Sequence, residues 1–233
     1  MSPRRTLSTL ELLEREIVAC RRCPRLVRHR ERIAVLKTRR FAEEVYWGRP
    51  VPGFGGPKAR LLVVGLAPAA HGGNRTGRIF TGDRSGDWLF EALHRYGFAT
   101  KPQSVSRDDG LRLEDAYISA VARCAPPDNK PAREEIERCR GYLLRELETL
   151  EDLRVTIVLG RIAFDGFLAA WRELGREVGR PKPRFSHGSE HLLASRVHLL
   201  GSYHPSQQNT FTGKLTRPMF HGVFQRARKL LEG

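Results

Sequence analysis

The sequence predicts an α/β protein, a three-layer α/β/α sandwich built around a four-stranded parallel sheet. Four short segments are almost continuously apolar, as strands buried on both faces of a parallel sheet are. Amphipathic helical patterns separate these segments, which is the alternation expected of parallel strands joined by crossover helices. The apolar segments are residues 61–64, 116–121, 155–159 and 197–200. With 233 residues, we expect a single domain over residues 1–233, although the length also allows two small domains.

Composition excludes several classes of protein. At 40% hydrophobic residues the chain can bury a core, so it is not a disordered tail. No apolar run approaches the ~18 residues of a membrane helix, and residues 1–5 lack the apolar stretch of a secretory signal. We therefore expect a cytoplasmic protein that is not embedded in a membrane, and a monomer. The net charge of +15 and pI of about 10.5 favour a polyanionic partner such as DNA or RNA, with a merely basic surface as the alternative.

The remaining elements follow from local signals. Residues 8–11, Ser-Thr-Leu-Glu, form a capping box that opens a helix with Leu10, Leu13 and Ile17 on one face. Residues 37–60 are basic and punctuated by glycine and proline, which predicts an irregular connection. Further helices are expected near residues 87–96, from residue 131, after residue 160 and at the C-terminus.

The segments that follow the strands are the candidate site, because ligands bind at the carboxyl ends of parallel strands. The first strand leads into a glycine-rich loop starting at Gly65, which lacks the fingerprints of nucleotide-binding loops. Phe80 and Asp83 follow between glycines, where side chains tend to face a pocket. For Phe80 the alternative is a core anchor, and for Asp83 it is a helix N-cap or a surface charge.

Two further strand ends carry polar residues. Asn129 precedes Pro131 after the second strand, where it is either a helix N-cap or a residue that reads a base. His204, Pro205 and Ser206 follow the fourth strand, and a histidine fixed by the next proline is poorly explained by core packing. The small polar residues after them suit hydrogen bonds to phosphate oxygens.

The four cysteines are Cys20, Cys23, Cys124 and Cys139. Their even number in a chain without a leader favours metal binding or burial over disulfides. A C-x-x-C pair places two thiolates on one metal, and zinc accepts four thiolates in two tight pairs. The wide second spacing suits a bulkier four-iron cluster, while Cys139 alone is also explained by helix packing.

Together these residues resemble the uracil-DNA glycosylase superfamily, in its iron–sulfur branch and family five (type B). The segment 65–69, Gly-Leu-Ala-Pro-Ala, is similar to the first motif of that family, and residues 204–206, His-Pro-Ser, to its second. The cysteine spacings are similar to those of the cluster-binding branch, and the resemblance runs from about residue 20 to the last helix.

The resemblance implies a DNA repair enzyme that hydrolyses the N-glycosidic bond of uracil and other damaged bases, leaving an abasic site. It implies a structural [4Fe-4S] cluster on the four cysteines and a base pocket formed by Gly65, Ala67 and Phe80. His204 would bind the oxygen of the departing base, and Ser206 would contact phosphate. Residues 207–214 are expected to enter the minor groove and fill the vacated stack. The alternative is a non-catalytic, zinc-containing protein that binds nucleic acid.

Two departures from the family pattern sharpen the expectations. Residues 66–69 carry no polar side chain that could position water, so we expect Asp83 to orient the water and Asn129 to help bind water or base. Residues 119–121, Ser-Ala-Val, replace the asparagine that pairs with the uracil edge in many relatives. Selectivity should be relaxed without that amide, so we expect a range covering uracil, hydroxymethyluracil, ethenocytosine and deaminated purines.

Overall fold

A computed structural model describes residues 8–233. Residues 1–7, which include the segment in which the sequence predicts no secretory signal, lie outside the described residues. Six strands form one sheet in the order β1-β3-β2-β4-β6-β5. The strands are β1 (Phe54–Gly55), β2 (Leu61–Gly65), β3 (Ala116–Ala120), β4 (Val155–Leu159), β5 (Glu190–Leu192) and β6 (His198–Ser202).

The sheet confirms the predicted parallel core and adds two edges. β3, β2, β4 and β6 pair in parallel, and they coincide with the four apolar segments of the sequence. β1 and β5 pair antiparallel on the outside, so the sheet has six strands where four were expected. The extra strands are only two and three residues long and partly exposed, so they carry no run of buried residues that a sequence pattern could reveal.

Eight α-helices surround the sheet within the described residues. They are α1 (Thr9–Ala19), α2 (Pro24–Leu36), α3 (Gly73–Thr76), α4 (Arg84–Arg95), α5 (Arg133–Thr149), α6 (Arg161–Glu173), α7 (Gln207–Phe211) and α8 (Arg217–Glu232). None of the helices in this part of the chain is long and apolar enough to cross a bilayer. Residues 37–60, expected to be irregular, contain β1 and one short 3₁₀ turn at Arg39–Phe41.

Two hydrophobic clusters define the layers, because alternate residues of a strand face opposite sides of a sheet. Leu61 and Val63 of β2 pack into the cluster formed with α4 and α8. Leu62 and Val64 pack into the cluster formed with α5 and α6. α1 covers α5 from outside, where Leu13 and Ile17 contact Tyr142. The three-layer sandwich predicted from the sequence is therefore present, with α1 as an additional cover.

Helix starts are set by local capping. The expected capping box at Ser8 is present, with the Ser8 hydroxyl accepting from Glu11 N–H and the Glu11 carboxylate accepting from Ser8 N–H. α4 begins three residues earlier than the sequence pattern indicated, because Asp83 caps it. α5 begins at Arg133 and its N-cap position is Ala132, so Asn129 is not the N-cap of this helix.

Candidate active site at the carboxyl ends of the strands

A cleft of about 650 Å³ opens at the carboxyl ends of the parallel strands. It is the place where side chains after separate strands can meet, as the topology of such sheets requires. The cleft collects six of the residues singled out in the sequence: Ala67, Phe80, Asp83, Asn129, His204 and Ser206. Gly65 lies directly beneath it, at the end of β2.

Gly65 and Phe80 form the floor of the cleft. A Cβ atom at position 65 would lie 2.6 Å from Cζ of Phe80, so only glycine lets the aromatic ring rest on the strand end. Phe80 has a left-handed backbone with φ of 54°, a conformation that costs a non-glycine residue about 1–3 kcal/mol and is concentrated at functional sites. The ring is also stacked against His204, with centroids 6.0 Å apart and planes 29° apart.

Asp83 has both of the roles that the sequence left open. Its Oδ1 accepts a hydrogen bond from the Gly86 N–H at 3.0 Å, which caps α4. The carboxylate also lines the cleft, and its Oδ2 packs so closely on Gly72 that a Cβ there would lie 2.1 Å away. Burial raises the pKa of Asp83, and the backbone N–H groups of Gly86 and Ser85 offset that effect only in part. The carboxyl therefore takes up a proton at higher pH than an exposed aspartate does.

His204 is a neutral imidazole at physiological pH. Burial lowers its pKa to about 4, because the charged form would lose its hydration in the cleft wall. Its backbone is fixed by its neighbours: Asn209 Nδ2 donates to the His204 carbonyl at 2.9 Å, and Ser85 Oγ donates to the Pro205 carbonyl at 3.1 Å. A neutral imidazole in this position supplies a hydrogen-bond donor without a permanent charge.

Ser206 and the residues after it form one rim of the cleft. Ser206 is the N-cap of α7, and its Oγ accepts from Asn209 N–H at 3.4 Å. At the end of this short helix the Phe211 side chain is 66% exposed. The guanidinium of Arg84 stacks over the Phe211 ring at 4.4 Å. An exposed aromatic ring backed by a cation therefore projects beside the cleft.

Asn129 lies at the mouth of the cleft rather than in its depth. It is exposed, and both Asp128 and Asn129 have positive φ, 52° and 56°. Lys130, the next residue, also lines the cleft and adds a positive charge to this rim. Asn129 therefore lines the cleft, and its exposed position suits contacts with an incoming ligand more than with an enclosed one.

The end of β3 carries no polar group into the cleft. Ser119, the one polar side chain in residues 119–121, is buried and donates to Glu146 Oε2 at 2.5 Å. The same carboxylate pairs with Arg123 at 2.5 Å and accepts from the Tyr117 hydroxyl at 3.0 Å. The hydroxyl of Ser119 is therefore used within the protein and does not replace a base-pairing amide.

Four residues of the cleft were not singled out in the sequence, namely Arg84, Ser85, Asp128 and Lys130. Ser85 is the most informative, because its hydrogen bond to Pro205 joins two segments separated by 120 residues. The sequence holds no signal for such a contact. Proximity to the predicted Asp83 would have identified Arg84.

The four cysteines meet at a second place in the fold. They line one small protein-free space, with a cavity volume of about 10 Å³, between α2, α5 and the segment after β3. Cys20 follows α1, Cys23 precedes α2, Cys124 follows β3 and Cys139 lies on α5. Within residues 8–233, no group of three or more cysteine, histidine, aspartate or glutamate side chains is arranged to hold a metal ion.

The thiols differ in their surroundings. Burial raises the pKa of Cys124 to about 12, although Arg30 Nη1 lies 3.0 Å from its sulfur and favours the thiolate. At Cys20 burial acts in the same direction, but hydrogen bonds from the Arg22 backbone and from the side chains of Tyr142 and Arg22 outweigh it and lower the pKa. The four thiols are suitable ligands for iron or zinc, and the guanidinium groups beside them suit the negative charge that four thiolates would bring.

An α/β sandwich with an aromatic ring, a carboxylate and an imidazole in one cleft at the strand ends has the architecture of an α/β enzyme. Comparison with family models then identifies the family: residues 52–228 match the uracil DNA glycosylase superfamily, and the chain belongs to it.

Relatives named by type refine this assignment. The chain is 51% identical over 222 residues to a type-5 uracil-DNA glycosylase of Mycobacterium leprae, covering 94% of each chain. It is 50% identical over 220 residues to the type-5 enzyme of Thermus thermophilus, covering 94% of this chain and 97% of the relative. Similarity to a type-4 uracil-DNA glycosylase of Pyrobaculum aerophilum is lower, 31% over 182 residues, or 78% of this chain and 81% of the relative. The family resemblance expected from the sequence motifs is confirmed.

Proposed function

We propose that this chain is a monofunctional uracil-DNA glycosylase that hydrolyses the N-glycosidic bond of uracil and other damaged bases in DNA and leaves an abasic site. The observation that supports it most directly is the cleft in which Phe80, Asp83 and His204 meet. A base inside a duplex is out of reach of such a cleft. The target nucleotide must therefore turn out of the stack, at a cost of a few kcal/mol.

The pocket would hold the extruded base by stacking and shape. Phe80 offers its ring face on a floor kept open by Gly65. The wall formed by Leu66, Ala67 and Ala69 is apolar. Since Ser119 is turned away, the strand end supplies no amide that would reject bases other than uracil. We therefore infer a broad range that includes hydroxymethyluracil, ethenocytosine and deaminated purines.

Negative charge develops on the base as the glycosidic bond lengthens. His204 would donate a hydrogen bond to the base oxygen that gains this charge, since its imidazole is neutral and carries one N–H. One well-placed donor of this kind contributes about 3–4 kcal/mol to catalysis. Because the donor is fixed through the carbonyls of His204 and Pro205, little reorganisation is needed during the reaction.

Water would be oriented by Asp83. Its carboxylate is the acid–base group in the cleft with a raised pKa, and such a group accepts a proton more readily than an exposed aspartate. Asn129, at the mouth, would help to bind the water or the base. Ser206, Arg84 and Lys130 line the rims, where they would contact phosphates.

The exposed ring of Phe211 is the candidate to occupy the space left by the extruded base. It lies within residues 207–214, the segment expected to enter the minor groove, and apolar wedges of this kind unstack base steps. We infer that the substrate is DNA with a damaged base, double-stranded or single-stranded, and that the enzyme acts as a single-domain monomer in the cytoplasm.

We also propose that the four cysteines hold a [4Fe-4S] cluster with a structural role. The support is that all four line one protein-free space and that the second spacing, from Cys124 to Cys139, is wide. When bound, the cluster would supply iron–sulfur bonds that join α2, α5 and the segment after β3.

One experiment tests the activity and a second tests the metal. Purified protein is incubated with a duplex containing one uracil, and alkali then reveals abasic sites. We expect cleavage of the uracil strand in wild type and loss of at least about 100-fold in the His204→Ala variant. Failure of metal-replete protein to act on any lesion duplex would refute the glycosylase proposal. Iron, sulfide and zinc analysis, with visible absorbance, separates the cluster from the alternative of a zinc-containing binding protein.

A further inference from the structure

Arg30 is an unusual residue in the neighbourhood of the cysteines. It lies on α2, where its side chain is only 2% exposed. Long cationic side chains are rarely buried to this degree unless they are paired. Its Nη1 atom lies 3.0 Å from the sulfur of Cys124, and Nη1 and Nη2 each donate to the Cys20 carbonyl at 3.3 Å. The guanidinium thus contacts one cysteine of the C-x-x-C pair, Cys20, and one that lies far along the chain, Cys124.

The charge of Arg30 is not neutralised by a carboxylate inside the protein. The nearest carboxylate oxygen in the described residues is Oε1 of Glu31, at 3.8 Å. Glu31 is 43% exposed and is already held by Arg21 through hydrogen bonds of 2.5 and 3.2 Å. The Nε atom of Arg30 is buried and has no hydrogen-bond partner within residues 8–233. A buried, incompletely paired cation of this kind is costly unless an anion lies beside it.

Arg123 provides the contrast within the same site. It lines the same protein-free space and is 1% exposed, but its Nη2 lies 2.5 Å from a fully buried carboxylate oxygen of Glu146. The charge of Arg123 is therefore balanced by the protein itself. Both arginines have buried nitrogens without a hydrogen-bond partner within residues 8–233, but only Arg123 has a buried carboxylate beside it.

A cluster bound by four thiolates would supply that charge. A [4Fe-4S] core in its common oxidised state, together with four thiolates, carries about two negative charges, and one-electron reduction adds another. Hydrogen bonds to the sulfur atoms and nearby charges set the reduction potential of such clusters. A buried guanidinium in contact with a ligand sulfur changes the reduction potential both through its hydrogen bond and through its charge.

We propose that Arg30 is the counterion of the cluster, and that its charge retains the cluster and raises its reduction potential. This inference rests on the proposed binding of the cluster. Arg30 is a positioning and electrostatic residue here, since it acts through the cysteine sulfur and lies outside the cleft.

The test compares neutral and charged replacements in the purified holoprotein. In Arg30→Met we expect the midpoint potential to become more negative, because the reduced cluster loses a neighbouring positive charge. A tenfold change in the ratio of reduced to oxidised cluster corresponds to about 59 mV for a one-electron couple. Loss of visible absorbance under an iron chelator should be about tenfold faster, as expected when a hydrogen bond to a charged group is removed.

Two further variants of Arg30 and one control variant keep the test decisive. Arg30→Lys retains the charge and should keep the potential close to that of wild type, whereas Arg30→Gln should behave like Arg30→Met. Arg21→Met is the matched control, because Arg21 lies next to Cys20 but is 64% exposed, and it should change neither potential nor retention. If the neutral variants do not accumulate, Arg30→Lys must still yield protein with a full complement of iron, and failure to do so overturns the inference.

The outcomes distinguish failure of the role proposed for Arg30 from failure of the proposed cluster binding. Wild-type protein without iron and sulfide would refute the cluster itself. Wild-type protein with a cluster whose potential and chelator resistance are the same in Arg30→Met, or shift equally in Arg30→Lys and Arg30→Gln, would refute the role of Arg30 and leave the cluster proposal standing.

Discussion

Replacing Gly72 by alanine tests the position of the Asp83 carboxylate without removing it. Gly72 precedes α3, and its φ and ψ of −103° and −105° are unusual for a residue with a side chain. A Cβ atom there would lie 2.1 Å from Oδ2 and 2.9 Å from Cγ of Asp83. The added methyl group therefore meets the carboxylate directly.

The size of the effect follows from these distances. Ordinary Cβ contacts begin near 3.4 Å, so Oδ2 must withdraw by about 1.3 Å or the loop must move by a similar amount. A misplacement of about 1 Å in a catalytic group lowers the rate by about 100-fold. The carboxylate remains chemically intact, so a lower rate reports its displacement rather than its removal.

The assay is single-turnover cleavage of a duplex with one uracil, followed by alkali and gel separation. We expect Gly72→Ala to lower the rate by about 100-fold while binding of the uracil duplex stays within a few-fold of wild type. Gly222→Ala is the control, because a Cβ at that position on α8 has no neighbour within 4 Å. A Gly72→Ala rate within threefold of wild type, in protein that melts as wild type does, would contradict the role assigned to Asp83.

Three further changes are expected to be measurable. His204→Ala should lower the single-turnover rate by about 100–1,000-fold. Since burial keeps the wild-type pKa of His204 at about 4, the wild-type rate should show no step near pH 6.5. The rate should instead rise with pH through the raised pKa of Asp83, and a step near 6.5 that disappears in His204→Ala would contradict a neutral imidazole. Phe211→Ala should slow cleavage of uracil in duplex DNA and leave the rate on single-stranded DNA unchanged, since only the duplex has a stack to fill. Equal slowing on both substrates would argue against a wedge. Glu146→Leu should lower the free energy of unfolding by about 3–5 kcal/mol in urea titrations, because Arg123 is left buried without its carboxylate. A loss below about 1 kcal/mol would indicate that water or another group replaces the pair.

The parallel core could be predicted from the sequence because its strands are buried on both faces. The segments at residues 61–64 and 155–159 contain only side chains that a central strand would bury or pair, and both form central strands. β1 and β5 could not be predicted in the same way. Their residues are half exposed, and their pairing depends on a neighbouring strand rather than on their own pattern.

Local signals in the candidate site were informative but ambiguous. Asp83 has the sequence of an N-cap and is one, yet it also lines the cleft. Asn129 has the sequence of an N-cap and is not one, because α5 begins beyond Pro131. Arg30 could not have been distinguished from the other arginines of α2, since its burial depends on packing against the segment after β3.

The stretch from Cys124 to Lys130 begins against the cysteines and ends on the rim of the cleft. Arg25 of α2 also binds the end of this stretch, since its Nη2 donates to the Lys130 carbonyl at 3.2 Å. Loss of the proposed cluster would therefore displace residues at the mouth of the cleft before it unfolds the sheet.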